Sequence, residues 1–162
     1  MDVISESRLW QLHPALAAKV RAMAGSLIEQ GIEIRVVQGL RTVAEQNALY
    51  AQGRTTPGKI VTNAQGGHSW HNFGLAVDCV PGIRGAAKWT PNWDASSPDF
   101  AAMIAAGEAQ GLVSGARWVS MPDKPHFQMA GIPVSPDDAA RICLASYGVN
   151  AFWEKYPGIV TT

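Results

Sequence analysis

Fifteen residues, GGHSWHNFGLAVDCV (66 to 80), carry His68, His71 and Asp78. A second stretch, PDKPHFQ (122 to 128), carries Asp123 and His126. Two histidines and one carboxylate, with a fourth position left to water, are the ligand set of a catalytic zinc site; structural zinc sites fill all four positions, usually with cysteine. Zinc lowers the pKa of its water from about 15.7 to about 7. A carboxylate outside the ligand set can then take a proton as water attacks a carbonyl. Asp123, in the same turn as His126, is placed for that task. The only cysteines, Cys79 and Cys143, lack Cys-x-x-Cys spacing, so a metal here is held by histidine and carboxylate.

These ligands must come together from distant elements. If residues 74 to 80 form a strand, Leu75 and Val77 face a core while Gly74, Ala76 and Asp78 face the other way. Asp78 then shares its face with two small neighbours, and another group can approach it. His71 precedes this strand across Asn72-Phe73-Gly74, where glycine lets the chain bend. Pro125 forbids a regular helix through Asp123 and His126. His126 instead opens a strand with Gln128 on its own face and Phe127 and Met129 on the other. Pairing of that strand with 74 to 80 brings His126 toward Asp78. Spacing alone leaves His68 and His71 as equal candidates. It also leaves Asp123 readable as an ordinary turn residue, since Pro-Asp-Lys-Pro is turn chemistry.

The remaining elements form a scaffold. Residues 13 to 31 read as a helix with Pro14 in its first turn and Gly31 past its end; Leu16, Val20, Met23, Leu27 and Ile28 make its apolar stripe. His13 is a helix-start residue with no metal role. IEIRVV (32 to 37) alternates and is β-branched, so it is a strand. Thr42 and Glu45 form a capping box that opens a helix ending at Gly53, which leaves Arg41 at a strand-to-helix corner. Residues 54 to 68 form a long loop. Ser97-Pro98 opens a helix that stops at Gly111. Residues 116 to 121 and 126 to 130 are predicted as a tight hairpin. Ser135 caps a helix of about 136 to 147 with acidic residues in its first turn, and a short last helix holds Phe152, Trp153 and Tyr156. The fold class is α+β: a small, mostly antiparallel sheet flanked by helices.

Length and composition narrow the classes. With 162 residues, 47% of them hydrophobic, the chain suits one domain with one core, 1 to 162. Thirteen basic residues balance thirteen acidic ones, so no basic surface offers itself to nucleic acid. No apolar run of about 18 residues appears, so no membrane insertion is expected. The first residues lack the pattern of a secretory signal, and synthesis in a cytoplasm with two buried free thiols is expected.

SWHNFGLAVD (69 to 78) resembles the Ser-x-His-x-x-Gly-x-Ala-x-Asp signature of the zinc D-alanyl-D-alanine carboxypeptidase and L-alanyl-D-glutamate peptidase family. DKPHFQ (123 to 128) resembles its Asp/Glu-x-x-His signature, and GLRTVAEQNALYAQG (39 to 53) its arginine-containing segment. The three together, in order and spacing, are specific. The resemblance implies Zn²⁺ bound by His71, Asp78 and His126, and selects His71 over His68. It implies Asp123 as general base, Arg41 as a substrate or oxyanion contact, and Ser69 as a hydrogen-bonding partner of substrate or of a ligand imidazole. Gln46 and Tyr50 match the arginine segment and are expected to pack. Trp70, Trp89, Trp93 and Trp118 are candidates for groove walls or packing. The chain is most similar to single-domain phage or prophage endolysins without a cell-wall-binding module. Such a monomer, released through a membrane pore, hydrolyses the peptidoglycan stem peptide, with L-alanyl-D-glutamate the expected bond. The alternatives are a D-alanyl-D-alanine carboxypeptidase or dipeptidase, and a zinc-containing binding module without turnover.

Overall fold

The computed structural model describes residues 1 to 155. Its centre is a four-stranded antiparallel sheet in the order β1-β2-β4-β3, with β1 Ile34–Gln38, β2 Ala76–Pro81, β3 Leu112–Ser114 and β4 His126–Met129. The helices are α1 Val3–Leu9, α2 Pro14–Ile28, α3 Val43–Ala51, α4 Pro98–Ala109 and α5 Asp138–Lys155. The α+β class read from the sequence is therefore the observed one.

The local signals act as their chemistry requires. His13 caps α2, its ring nitrogen Nδ1 accepting from the Ala15 N–H at 3.2 Å. Leu16, Val20, Met23 and Leu27 are buried, whereas Ile28, counted in the same stripe, is exposed because α2 ends there. Thr42 and Glu45 form the reciprocal capping box of α3. Ser97 caps α4. At α5 the capping oxygen belongs to Asp137, which accepts from the Ala140 N–H at 2.8 Å, and not to Ser135. Gly148, with φ of 80°, kinks α5, so the last turns form a separate short helix that buries Phe152. Tyr156 lies outside the described residues. Both cysteines are free and buried.

Two expectations need correction. The partner of β4 is Leu112–Ser114, not 116 to 121. Gly115–Arg117 form a 3₁₀ turn and residues 118 to 125 are irregular. The Gly115 carbonyl accepts from the Trp118 and Asp123 N–H groups, which turns the chain away from the sheet, so pairing lies N-terminal of Gly115. In addition, α1 occupies residues read only as lacking a signal. Asp2 caps it. Ser5 Oγ accepts from the Val36 N–H and Arg8 donates to the Val36 carbonyl, which covers the outer edge of β1.

Phe127 of β4 meets Gly107 of α4 and lies near Met23 of α2, which fixes that face of the sheet against the two helices. By alternation, Asp78, His126 and Gln128 project from the opposite face. Asp78 stands directly across from His126, and Ala76 across from Gln128. Beside them β1 carries a bulge between Val36 and Gln38, which places Gln38 next to Asp78. Bulges of this kind re-aim side chains next to functional sites.

Candidate metal centre

His71 sits in a 3₁₀ turn, Trp70–Phe73, that ends at Gly74 in the left-handed region with φ of 63°. That conformation is open to glycine at no steric cost. A side chain there would also strike Trp153, whose indole N–H donates to the Phe73 carbonyl at 2.7 Å. The His13 N–H donates to the Gly74 carbonyl at 3.0 Å and the Leu75 N–H to the Trp70 carbonyl at 3.1 Å, which folds the turn back onto the start of the β2 segment. The bend carries His71 over Asp78.

His71 Nε2, Asp78 Oδ1 and His126 Nδ1 form a nearly equilateral triangle with sides of 3.2, 3.3 and 3.3 Å. Zinc bonds of about 2.0 to 2.1 Å in a tetrahedron separate neighbouring ligand atoms by about 3.3 to 3.4 Å. The donor set therefore fits a tetrahedral divalent metal with one corner left over. Asp78 Oδ1 is buried and accepts no well-directed hydrogen bond, as expected of an atom kept for a cation.

The outer nitrogens fix the tautomers. His71 Nδ1 lies 2.9 Å from the Gly39 carbonyl, an acceptor only, so it carries the proton and leaves Nε2 free. His126 Nε2 lies 3.2 Å from Gln128 Oε1, whose own amide nitrogen faces the Pro133 carbonyl. His126 is thereby left with Nδ1 as its ligand atom. These two supports, a backbone carbonyl and Gln128, were not picked out from the sequence. For Gln128 a signal existed: it shares the strand face of His126.

Burial works to raise the Asp78 carboxyl, but the facing imidazoles outweigh it and hold the group ionised, far below the usual range. Asp123 is pushed up, first by burial and then by the negative charge of Asp78; His126, His71 and Arg41 pull the other way. Its electrostatic neighbours are thus the ligand set and the arginine. The backbone that carries it is tight. A Cβ on Gly115 would lie 2.6 Å from the Asp123 carbonyl oxygen and 2.9 Å from the His126 Cβ. Gly115→Ala is therefore expected to displace that segment and weaken metal binding by about tenfold to a hundredfold. Competition with a chelator measures the change.

Arg41 lies at the strand-to-helix corner with its guanidinium largely buried, 3.8 Å from Asp78 Oδ2. Gln46 Oε1 accepts from it at 2.7 Å. Gln46 itself is fully buried and also donates to the Ala64 carbonyl at 2.8 Å, so it holds the arginine to the loop rather than merely packing. Ser69 caps the 3₁₀ turn through the His71 N–H. His68 is half-buried outside the triangle. Tyr50 stacks on Arg54. Of the tryptophans, Trp70 is core, Trp89 packs under Arg35, Trp93 is exposed and Trp118 lies 4.8 Å from the His126 ring. No helix among the described residues is long and apolar enough to cross a membrane.

The VanY family, described as D-alanyl-D-alanine carboxypeptidase, matches residues 9–113. The chain belongs to this family. The VanY match stops short of Asp123 and His126, and strand pairing in the structure supplies that half of the site. The chain is 34% identical over 122 residues to the peptidoglycan L-alanyl-D-glutamate endopeptidase CwlK of Bacillus subtilis, covering 73% of each. Among solved structures it resembles the Serratia marcescens L-Ala D-Glu endopeptidase ChiX. There the TM-score is 0.57 at 25% identity, over 80% of this chain and 88% of that one. It shares its fold with a VanY D,D-pentapeptidase solved in complex with Zn(II). That match has a TM-score of 0.53 at 15% identity, over 90% of this chain and 83% of that one.

Proposed function

We propose that this VanY-family protein is a zinc peptidase of the peptidoglycan stem peptide that hydrolyses the L-alanyl-D-glutamate bond. The observation that carries the chemistry is the triangle of His71, Asp78 and His126 with Asp123 in its electrostatic reach. The likeness to CwlK and ChiX supports the choice of bond. Zinc, when bound, supplies Lewis-acid chemistry, polarising a carbonyl and lowering the pKa of water to about 7.

The chain's own groups do the rest. The Asp123 carboxylate accepts the proton of the attacking water and returns it to the leaving amide nitrogen. The buried Arg41 guanidinium, held by Gln46, offers fixed donors to the substrate or to the developing oxyanion. The Gly39 carbonyl and Gln128 keep both imidazoles in one tautomer throughout. In the cell the reading is that of an endolysin, acting on the wall after release through a membrane pore.

Digestion of purified peptidoglycan followed by mass spectrometry tests the assignment. The expected product is a stem peptide with a new N-terminal D-glutamate, lost on chelation and restored by Zn²⁺. Release of D-alanine instead would replace this bond with the carboxypeptidase reaction. Zinc binding with no product of either kind would leave a binding module.

A further inference from the structure

Asn72 follows the ligand His71 and is 3% exposed, yet its side chain is polar and belongs to no part of the metal triangle. Its amide is fully used. Nδ2 donates to the Arg41 carbonyl at 2.8 Å and to the Thr42 carbonyl at 3.2 Å, and Oδ1 accepts from the Gly67 N–H at 2.9 Å. His71 adds two bonds to the same segment: its carbonyl accepts from the Arg41 N–H at 3.1 Å and its Nδ1 donates to the Gly39 carbonyl at 2.9 Å. Two consecutive residues of the ligand turn therefore grip residues 39 to 42 from end to end. That segment lies outside β1 and α3 and has no ladder to hold it. Thr42 is also the cap of α3, so the grip sets where the helix begins.

We propose that Asn72 is a positioning residue for Arg41, joining the arginine corner to the metal-ligand turn so that the two move as one body. Only asparagine offers two donors and one acceptor on so short a stem. Aspartate has the same shape but cannot donate, and would set a negative charge against two carbonyl oxygens. Alanine leaves the Arg41 carbonyl and the Gly67 N–H without that partner, while the Thr42 carbonyl keeps only the Gln46 N–H. Glutamine is one methylene longer and cannot place its amide at the same three partners from the same backbone position. The inference rests on the reading of Arg41 as a substrate or oxyanion contact, because positioning matters only if the arginine acts.

The test uses Asn72→Asp and Asn72→Ala in the zinc-loaded full chain. Both are expected to keep their zinc and to lose roughly tenfold to a hundredfold in kcat/KM, the scale of a misplacement near 1 Å. In an Arg41→Ala background, Asn72→Ala is expected to cost less than about threefold more, because the group it positions is gone. Amide hydrogen exchange in the peptide covering 39 to 46 is expected to quicken in Asn72→Asp while that covering 126 to 129 stays unchanged. Near-normal activity of Asn72→Asp, a full multiplicative loss in the Arg41→Ala background, or unaltered exchange at 39 to 46 overturns the assignment. If Asn72→Ala does not fold, the aspartate variant and its exchange pattern decide. A wild-type protein that yields no peptide product sinks the proposed function, and the exchange result still judges Asn72.

Discussion

An Asp123→Ala variant is expected to retain its zinc and to lose hydrolysis by a factor of about 10² to 10⁴, the usual contribution of a general base. The carboxylate is not one of the three atoms of the metal triangle, so its removal leaves the ligand set whole. It is largely withdrawn from water, and burial together with Asp78 raises its proton affinity above that of an ordinary aspartate. Its backbone is fixed on both sides: its N–H donates to the Gly115 carbonyl at 2.9 Å, and its carbonyl accepts from the His126 N–H at 3.2 Å. Asp123 and His126 therefore share one hydrogen-bonded turn. The check is zinc content by elemental analysis alongside single-turnover rates on a muropeptide. The isosteric Asp123→Asn should behave alike. Zinc retained with the rate unchanged would remove Asp123 from the mechanism.

The second large effect separates two neighbouring histidines. His71→Ala is expected to bring zinc content from a full equivalent to near zero at micromolar protein, and His68→Ala to leave it intact. His71 is 3% exposed and has both ring nitrogens engaged, one toward Asp78 and His126 and one on Gly39. Removing it leaves a two-ligand remnant and frees the carboxylate of one of its two facing imidazoles. His68 precedes the cap of the 3₁₀ turn, and its backbone N–H bonds to the Gln65 carbonyl, so its ring takes no part in the triangle. Activity should follow zinc in both variants. Zinc kept by His71→Ala and lost by His68→Ala would reverse the assignment.

Much of this site was readable before any coordinates because its pieces are local. The capping box at Thr42 and Glu45 fixes the start of α3 and leaves Arg41 on the corner. Period-2 alternation puts Asp78 with Ala76, and His126 with Gln128, which is how they stand across the β2–β4 pair. Where the reading slipped, long-range contacts had decided. Val119, in the segment read as the strand 116 to 121, is 98% exposed; its β-branched side chain reads as strand, but the 3₁₀ turn at Gly115–Arg117 has already taken the chain out of the ladder. The helix α1 has its packing reward in the edge of β1, some thirty residues on, which no local window contains. Gln46 looked like a packing residue because its partners, Arg41 and Ala64, converge only through a loop.

The sequence by itself determined the types of group available, the helix caps and the strand faces; its spacing left His68 and His71 equal, and only the family resemblance chose between them. Those properties are set by neighbours a few residues apart, where chain geometry is nearly fixed. Only the tertiary structure decided that the three ligand atoms stand about 3.3 Å apart, which imidazole nitrogen each ligand presents, and what grips the arginine corner. Those depend on strand register and on a left-handed turn closed by distant partners, and register is settled by burial of the whole sheet rather than by any local stretch of it.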